Sequence, residues 1–252
     1  MTSNSETGAE KSKNFSRYVG SYYDNLNKKI PTSYSDWKWF RSKSSIFQYN
    51  QTKKAIQKAI GGHTYNRALE VGPGDGIWTE LLTKYCSNIE AIDLSEKMLE
   101  MAKIRLMGKN VRFIHGNFLT KKINGNKNLI YSIRCIEYLP DKERVIRKFY
   151  FLLKNNADLI IITKNPHFLR LRKQDKKLHS RQIDIIALRD ILKKEGFRNI
   201  QIYPAVFGKG FHFPFLRQIS AYFHNKILIK DKKKISLIVK YLTESFLIHA
   251  KK

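Results

Sequence analysis

The chain has 252 residues, of which 42% are apolar and 27% are charged, so it can bury a core and is neither disordered nor fibrous. Its two cysteines, Cys86 and Cys135, have no metal-ligand spacing, which excludes a disulfide scaffold and a zinc site built from cysteines. The formal charge of +27 favours a polyanionic partner: nucleic acid, an anionic membrane surface or a phosphorylated substrate. A lysine-rich composition without a binding role is the alternative.

The sequence contains neither a membrane span nor a secretory signal. Its longest apolar runs, such as residues 159–162, are far below the roughly 18 residues that a transmembrane helix needs. The first residues are polar and contain no apolar stretch after a basic start. We therefore expect a cytoplasmic protein, with a peripheral position on the inner face of the membrane as an alternative that the charge leaves open.

The N-terminal quarter is expected to be a tail followed by a helical segment. Residues 1–14 are mostly Ser, Thr, Glu, Lys and Gly and predict a flexible tail. Residues 15–62 are rich in aromatic and basic side chains, and Pro31 divides them into two or three short helices. The last of these helices is predicted at 45–60 and ends at Gly61-Gly62.

From residue 63 onward, short apolar runs alternate with helical segments. The runs that predict strands are 67–71, 89–93, 111–117, 128–132, 159–164, 199–203 and 245–249. The segments that predict helices are 78–84, 95–107, 141–153 and 182–195. Strands that alternate with helices pair in parallel through right-handed crossovers, so this pattern predicts a doubly wound α/β sheet.

The alternation breaks between residues 205 and 240. Phe211 and Phe215 precede the stretch 216–229, whose apolar residues recur at helical spacing. A lysine cluster follows: Lys230, Lys232, Lys233 and Lys234. Aromatic rings next to lysines are typical of a segment at a membrane interface, and a substrate cap packed on the sheet is the alternative.

The strongest local signal is the run ALEVGPGDG at residues 68–76. An apolar strand ends in the acidic Glu70 and enters a glycine-rich turn, which allows a ligand to approach the backbone at the carboxyl end of the strand. A dinucleotide site would have glycine or alanine at position 77, where this chain has Ile77. Because no Gly-Lys-Ser/Thr follows, the turn is not a phosphate-binding P-loop either.

Two further signals follow the next two predicted strands. Asp93 ends the second strand, where a carboxylate can accept hydrogen bonds from both hydroxyls of a ribose. Ser95 is expected to cap the following helix. After the third strand comes Gly116-Asn117-Phe118, whose amide and ring are suited to contact an adenine.

Taken together, these residues resemble the class I S-adenosylmethionine-dependent methyltransferases. The resemblance is carried by residues 70–76, Asp93, Gly116-Asn117 and the stretch 129–141, and it covers roughly residues 65–203 and the final strand. It is closest to the broad group that includes quinone-biosynthesis and other small-molecule methyltransferases. It implies a Rossmann-like, seven-stranded, mostly parallel sheet with helices on both faces and an antiparallel last strand.

The resemblance also implies a domain organisation. Residues 63–252 would form the methyltransferase domain, with 205–240 as a cap or membrane-interface insertion before the last strand. Residues 15–62 would form an N-terminal helical lid over the cofactor and substrate. The lid tyrosines expected near the methionine end of the cofactor are Tyr18, Tyr22 or Tyr23.

S-adenosylmethionine is the implied cofactor, and no metal is expected. Its implied binding residues are Glu70, Gly72, Gly74, Gly76, Asp93, Leu94, Met98, Asn117 and Phe118. Glu70 and the glycines would frame the methionine end, and Asp93 would hold the ribose. The family more often has Asp where this chain has Asn117, but the amide keeps a donor and an acceptor for the adenine.

The implied reaction is an in-line transfer of a methyl group from the sulfonium to an oxygen, nitrogen or carbon atom of a small or lipid-like acceptor, and O-methylation is the expectation. Alignment of the two reactants can supply about 7 kcal/mol or more of the barrier reduction. A hydroxyl acceptor needs a general base. The candidates in the loops after the fourth and fifth strands are Glu137, Tyr138 and His179, with His167 as a further one.

Two other functions compete with this reading. An RNA methyltransferase would use the charge of +27 to bind phosphates, although no appended RNA-binding module is visible. A scaffold that binds the cofactor without turnover is the third possibility, and the intact Glu70, glycines and Asp93 argue against it.

Overall fold

The computed structural model describes residues 7–30, 32–169, 177–207 and 237–252. The strands are β1 (Tyr65–Val71), β2 (Cys86–Asp93), β3 (Val111–His115), β4 (Lys127–Ile133), β5 (Leu153–Lys164), β6 (Arg198–Phe207) and β7 (Thr243–Lys251). The α-helices are α1 (Gly8–Lys29), α2 (Lys43–Ile60), α3 (Ile77–Leu82), α4 (Glu96–Arg105), α5 (Lys142–Leu152), α6 (Ile185–Lys194) and α7 (Leu237–Leu242). A π-helical turn spans Asp36–Phe40, and a 3₁₀ turn spans Ile136–Tyr138.

The described strands form one seven-stranded sheet with the order β3-β2-β1-β4-β5-β7-β6. The pairs among β1 to β5 are parallel, and β7 runs antiparallel between β5 and β6. This confirms the predicted mostly parallel sheet and its antiparallel last strand. Because the chain leaves β1 toward β2 and returns to β4 on the other side of β1, a crevice opens at the carboxyl ends of β1 and β4.

Helices cover both faces of the sheet, as predicted. The alternation of side chains along β1 sends Leu69 and Val71 into one buried cluster and Ala68 into the other. The first cluster packs under α5 and α6, where Phe149 is fully buried. The second packs under α2 and α3, where Ile56 is fully buried.

Helix boundaries follow their capping residues. Ser95 caps α4 as predicted, since its hydroxyl accepts a hydrogen bond from the Met98 N–H at 3.1 Å. Gly61 ends α2 with φ of 60°, as expected of a C-terminal glycine. Helix α6 begins later than predicted because Asp184 is its N-cap and accepts from the Ile186 N–H at 2.8 Å.

Two elements begin well before their predicted starts. Helix α1 begins at Gly8, so the expected tail over residues 1–14 is incorrect from that residue onward. Thr7 caps this helix, which continues from the largely exposed residues of that segment into the buried Phe15 and Val19. Strand β5 begins at Leu153 rather than at residue 159: Leu153 pairs with Lys127 of β4, and the pairing resumes at Asp158 after a register shift. The sequence does not indicate this start because the side chains of residues 154–156 are polar and exposed.

Most of the insertion predicted over 205–240 lies outside the described residues, including Phe211, Phe215 and the lysine cluster. Its start extends β6 to Phe207, and its end lies in α7. Within the described part of the chain, no helix combines the length and apolarity that crossing a membrane requires.

Candidate functional site

A cleft lies at the carboxyl ends of β1, β2, β4 and β5. Its floor includes the turn after β1 and the residues that follow β2 and β4. Its roof comes from α1 and from residues 34–39, which contribute Tyr22, Tyr23, Tyr34 and Trp37. The N-terminal segment therefore covers the crevice that the strand order creates.

The turn after β1 exposes bare backbone to this cleft. Gly74 has φ of 57°, and a Cβ added there would meet no atom of the described residues within 4 Å. Gly72 has φ of 79°, and a Cβ on it would overlap the side chain of Cys135. Gly76 has φ of 84° and lets α3 approach Ala102 of α4, because an added Cβ would lie 3.2 Å from the Ala102 Cβ.

Asp93 is held in place by two backbone hydrogen bonds. Its Oδ2 accepts from the Gly74 N–H at 3.1 Å, and its Oδ1 accepts from the Ser95 N–H at 3.0 Å. Burial raises the pKa of this carboxyl, although the hydrogen bonds oppose that effect. Each carboxylate oxygen keeps a further lone pair, so the group can still accept hydrogen bonds from vicinal hydroxyls in the cleft.

Glu70 lies behind the turn and does not line the cleft. Its Oε2 accepts hydrogen bonds from Thr79 Oγ1 at 2.5 Å and from the Tyr131 hydroxyl at 3.1 Å. Its Oε1 has no hydrogen-bond partner among the described residues. Burial raises the pKa of Glu70 to about 8. The side chain thus joins β1 to α3 and β4 from below the turn.

Asn117 also supports the wall from behind. Its Oδ1 accepts a hydrogen bond from the Leu119 N–H at 2.9 Å, which closes a turn after β3. The next residue, Phe118, is buried and reaches the cleft. Six of the nine residues predicted to bind the cofactor line the cleft: Gly72, Gly74, Asp93, Leu94, Met98 and Phe118. Contact of Glu70, Gly76 and Asn117 with a ligand stays a prediction.

The part of the cleft that is lined by residues after β1, β2 and β3 fits an adenosyl cofactor. Asp93 offers a carboxylate for the ribose hydroxyls, and Gly74 leaves space for close approach of a ligand to the backbone. Leu94, Met98 and Phe118 supply apolar surface for a flat base. The described residues contain no group of three or more His, Cys, Asp or Glu side chains that could hold a metal ion.

Asp75 joins the glycine turn to the lid. Its Oδ2 accepts hydrogen bonds from the backbone N–H and the hydroxyl of Ser35, with a distance of 2.7 Å to the nitrogen. Arg105 of α4 lies 3.4 Å from the same oxygen and donates to the Asp75 carbonyl at 2.9 Å. Asp75 is only 2% exposed, so this bond between lid and turn is shielded from water.

A second contact joins α1 to the start of α4. Asp24 Oδ1 accepts a hydrogen bond from Ser95 Oγ at 2.5 Å. Gly20 faces Leu94, where an added Cβ would lie 3.4 Å from the Leu94 carbonyl oxygen. The lid therefore rests on the two residues that follow Asp93.

The predicted catalytic candidates are only partly brought together. Tyr138 and His179 line the cleft, and their ring centroids are 6.0 Å apart. Glu137 is fully buried behind the wall, where its Oε2 accepts a hydrogen bond from Thr163 Oγ1 at 3.2 Å. His167 does not line the cleft, and its Nε2 lies 2.9 Å from Asp184 Oδ2. Burial raises the pKa of Tyr138 well above its ordinary value, which favours its hydroxyl as a hydrogen-bond donor.

Several lining residues were missed by the sequence reasoning. They are Tyr34, Trp37, Asp75, Arg134 and Lys164. Asp75 lies inside the glycine motif, and Arg134 and Lys164 follow or end predicted strands, so the rule that ligands bind at strand ends could have found all three. For Tyr34 and Trp37 the sequence contains no comparable signal, since their position depends on the fold of the lid.

The chain matches a family model described as "Methyltransferase domain" over residues 34–202. It is 28% identical over 200 residues to a carboxy-S-adenosyl-L-methionine synthase of Nautilia profundicola, a match that covers 77% of this chain and 76% of that relative. It is 27% identical over 132 residues to a ubiquinone biosynthesis O-methyltransferase of Histophilus somni, covering 49% of this chain and 56% of the relative.

Solved structures share the fold. The N-methyltransferase NodS of Bradyrhizobium japonicum, in complex with S-adenosyl-L-homocysteine, has a TM-score of 0.62 at 13% identity and covers 91% of this chain and 97% of its own. A phosphoethanolamine N-methyltransferase of Haemonchus contortus, in complex with S-adenosyl-L-methionine, has a TM-score of 0.59 at 18% identity. That match covers 89% of this chain and 61% of the other. At these identities the likeness concerns the fold alone.

Asp75→Asn should loosen the lid, because a neutral amide is a weaker acceptor for the Ser35 and Arg105 donors. We expect S-adenosylhomocysteine to bind about tenfold more weakly, a loss of about 1.4 kcal/mol. Amide hydrogen exchange should also become faster in residues 34–40. Calorimetry and exchange mass spectrometry measure the two effects.

Glu80→Gln is the matched control for this variant, because Glu80 also pairs with Arg105 but is 52% exposed and makes no described contact with the lid. Equal exchange rates in the wild-type protein and in Asp75→Asn would show that Asp75 does not hold the lid.

Glu70→Gln should change how stability depends on pH. The folded pKa of Glu70, about 8, lies above the ordinary value of 4.5, so the native state retains a proton that the unfolded state releases between these values. This contribution to stability is present below about pH 4.5 and is lost as the pH rises toward 8. Relative to the wild type, the melting temperature of the variant should therefore rise between pH 5 and pH 8. If the melting temperatures of the two proteins changed with pH in the same way, the raised pKa of Glu70 would be contradicted.

Proposed function

This chain belongs to the S-adenosylmethionine-dependent methyltransferases, and we propose that it methylates an oxygen atom of a small or lipid-like acceptor. S-adenosylmethionine is its cofactor. The observation that carries the proposal on the acceptor is the covered cleft, in which residues after β4 and β5 provide lining beyond the residues that would hold the cofactor.

When bound, the cofactor supplies an electrophilic methyl group on a sulfonium. The chain's own task is to bind and orient. Asp93 would hold the ribose hydroxyls, Leu94 and Met98 would pack beside the sugar and base, and the Gly72–Gly74 backbone would border the methionine end. Because Gly74 and Ser95 fix the Asp93 carboxylate, little side-chain entropy is lost when a ligand binds.

The lid supports a small acceptor rather than a polymer. Tyr22, Tyr23, Tyr34 and Trp37 cover the cleft, and contacts at Asp75 and Asp24 attach this cover to the cofactor-binding turns. A roof over part of the cleft limits the access of water and helps to hold a compact molecule in one orientation. A folded RNA would have to displace the roof before a base could reach the same floor.

Transfer to oxygen is supported by the kinds of side chain at the acceptor wall. His179 lines the cleft, and an imidazole can accept a proton near neutral pH. Tyr138 presents a hydroxyl with a strongly raised pKa and would orient the acceptor oxygen as a donor. Glu137, which does not reach the cleft, is assigned to the structural support of this wall. The similarity to an O-methyltransferase of Histophilus somni points the same way.

Two other predictions made from the sequence, membrane association and RNA methylation, depend on the basic charge. The membrane association depends on Phe211, Phe215 and the lysine cluster, which lie outside the described residues, so it stays a prediction, as does the cytoplasmic location. The hypothesis that the protein methylates RNA depends on the charge of +27, and the labelling experiment below tests it.

The protein should transfer labelled methyl from S-adenosylmethionine to the low-mass fraction of a cell extract and not to bulk RNA. Mass spectrometry of the labelled product should place the methyl on oxygen. Label on RNA would refute the small acceptor, and label on nitrogen would refute O-methylation.

His179→Gln should lower kcat by about 100-fold, the lower range for loss of a general base, while S-adenosylhomocysteine binds as before. His63→Gln changes an exposed histidine and is the matched control. An unchanged kcat in His179→Gln would remove His179 from the proposed role.

A further inference from the structure

The half of the cleft over β4 and β5 has a chemical character that the methyl transfer itself does not explain. The cofactor-binding residues follow β1, β2 and β3, on the other side of the crevice. Arg134 follows β4, Tyr138 lies in the next turn, and Lys164 ends β5. All three line the cleft, together with His179. These residues are therefore placed to bind the acceptor.

Lys164 is directed toward this space. It is only 8% exposed, and its Nζ lies 3.5 Å from the Tyr138 hydroxyl and 6.0 Å from the centroid of that ring. A buried ammonium interacts strongly with a nearby charge because little water screens it. Lysine and phenol together offer donors for an anionic oxygen.

Arg134 adds a second cation to the lining and is held rigidly. Its guanidinium donates two hydrogen bonds to Glu244, at 2.7 and 3.1 Å. Its backbone has φ of 60°, which is uncommon for a residue other than glycine. Glu244 itself does not line the cleft.

The carboxylates of the described residues are distributed differently. Those that line the cleft are Asp75 and Asp93, and both belong to the cofactor half, where hydrogen bonds hold them. Glu137 and Glu244 lie near the acceptor half but face Thr163 and Arg134 respectively. Lys164 and Arg134 therefore line this half of the cleft, whereas the two carboxylates lie behind its lining, and Glu244 balances the charge of Arg134. The protein's net charge of +27 has the same sign as Lys164.

Aromatic rings form the rest of this surface. Tyr23 packs edge-on against Tyr138 at 5.7 Å and against Tyr34 at 6.0 Å, and Trp37 lies 6.1 Å from Tyr34. Such rings alone would also suit an ammonium ligand through cation–π contacts. Lys164 opposes that choice, because a like charge in a poorly solvated cleft is repelled.

We propose that the methyl acceptor carries an anionic oxygen group, a carboxylate or a phosphate, which binds Lys164 and the Tyr138 hydroxyl while an aromatic or apolar frame packs against the lid rings. This inference rests on the proposed methyl transfer to a small acceptor. It assigns Lys164 as the residue that determines specificity, distinct from the groups that bind the cofactor.

Three catechols whose ring substituents carry a negative, a zero and a positive charge test the proposal by calorimetry on the full-length protein saturated with S-adenosylhomocysteine. They are 3,4-dihydroxybenzoate, the neutral 3,4-dihydroxybenzyl alcohol and the cationic dopamine. At about 0.15 M salt, exposed charges farther apart than about 8 Å are largely screened. The benzoate should bind at least tenfold more tightly than the alcohol, and dopamine most weakly. Equal binding of benzoate and alcohol, preference for dopamine, or no binding of any probe at millimolar concentration would overturn the proposal.

Variants test whether Lys164 causes the preference for the benzoate over the neutral alcohol. Lys164→Met should bring the benzoate to within about twofold of the alcohol, and Lys164→Arg should retain most of the difference. Lys54→Met removes the same charge from an exposed position on α2 and should leave the preference intact. A preference that survives in Lys164→Met, or that is lost in Lys54→Met, would refute the role of Lys164.

Two further probes distinguish a carboxylate from a phosphate as the anionic group. A titration with S-adenosylhomocysteine distinguishes failure of this inference from failure of the proposed methyl transfer. Benzoate and phenyl phosphate should both depend on Lys164, and the tighter of the two identifies the group. Each variant is first titrated with S-adenosylhomocysteine, so that loss of the cofactor site is seen directly. If the cofactor binds and label reaches small molecules while the charge preference is absent, the proposed function holds and this inference fails.

Discussion

The hydrogen bonds of the Asp93 carboxylate are the constraint on which the rest of the site depends. One oxygen accepts from the glycine turn at Gly74 and the other from Ser95 at the start of α4. Ser95 in turn donates to Asp24 of the lid helix. A single half-buried carboxylate therefore connects the turn after β1, the end of β2 and, through one neighbour, the roof. Burial raises its pKa, yet the two N–H donors offset part of that cost.

The strand order divides the cleft between two tasks. Residues after β1, β2 and β3 provide a carboxylate, bare backbone and apolar surface, which match an adenosyl cofactor. Residues after β4 and β5 provide phenols and cations, including Lys164. The lid spans both parts and is joined to the turn through Asp75 and Ser35. Because one roof serves both halves, we expect the cofactor and acceptor sites to influence each other through the lid.

Much of the fold and the cofactor half could be predicted from the sequence, because the signals are local. Asp93 and the glycines sit at fixed positions relative to strands whose apolar runs are clear. The acceptor half could not be predicted equally well. The bond between Ser35 and Asp75 joins residues 40 positions apart. The position of Lys164 at the end of a predicted strand marks it as a candidate lining residue, but only the fold brings its Nζ to 3.5 Å from the Tyr138 hydroxyl. The polar residues 8–14 resemble a tail by composition, and only their continuation into the buried Phe15 and Val19 makes them a helix.

Calorimetric titration with S-adenosylhomocysteine tests most directly the central claim that Asp93 holds the cofactor. The wild-type protein, Asp93→Ala and the exposed control Asp190→Ala are compared. Thermal unfolding first shows that all three are folded. The account predicts micromolar binding, about −8 kcal/mol, for the wild type and the control. It predicts at least tenfold weaker binding for Asp93→Ala. No binding by the folded wild type, or equal binding by Asp93→Ala, would contradict the cofactor site described for this cleft.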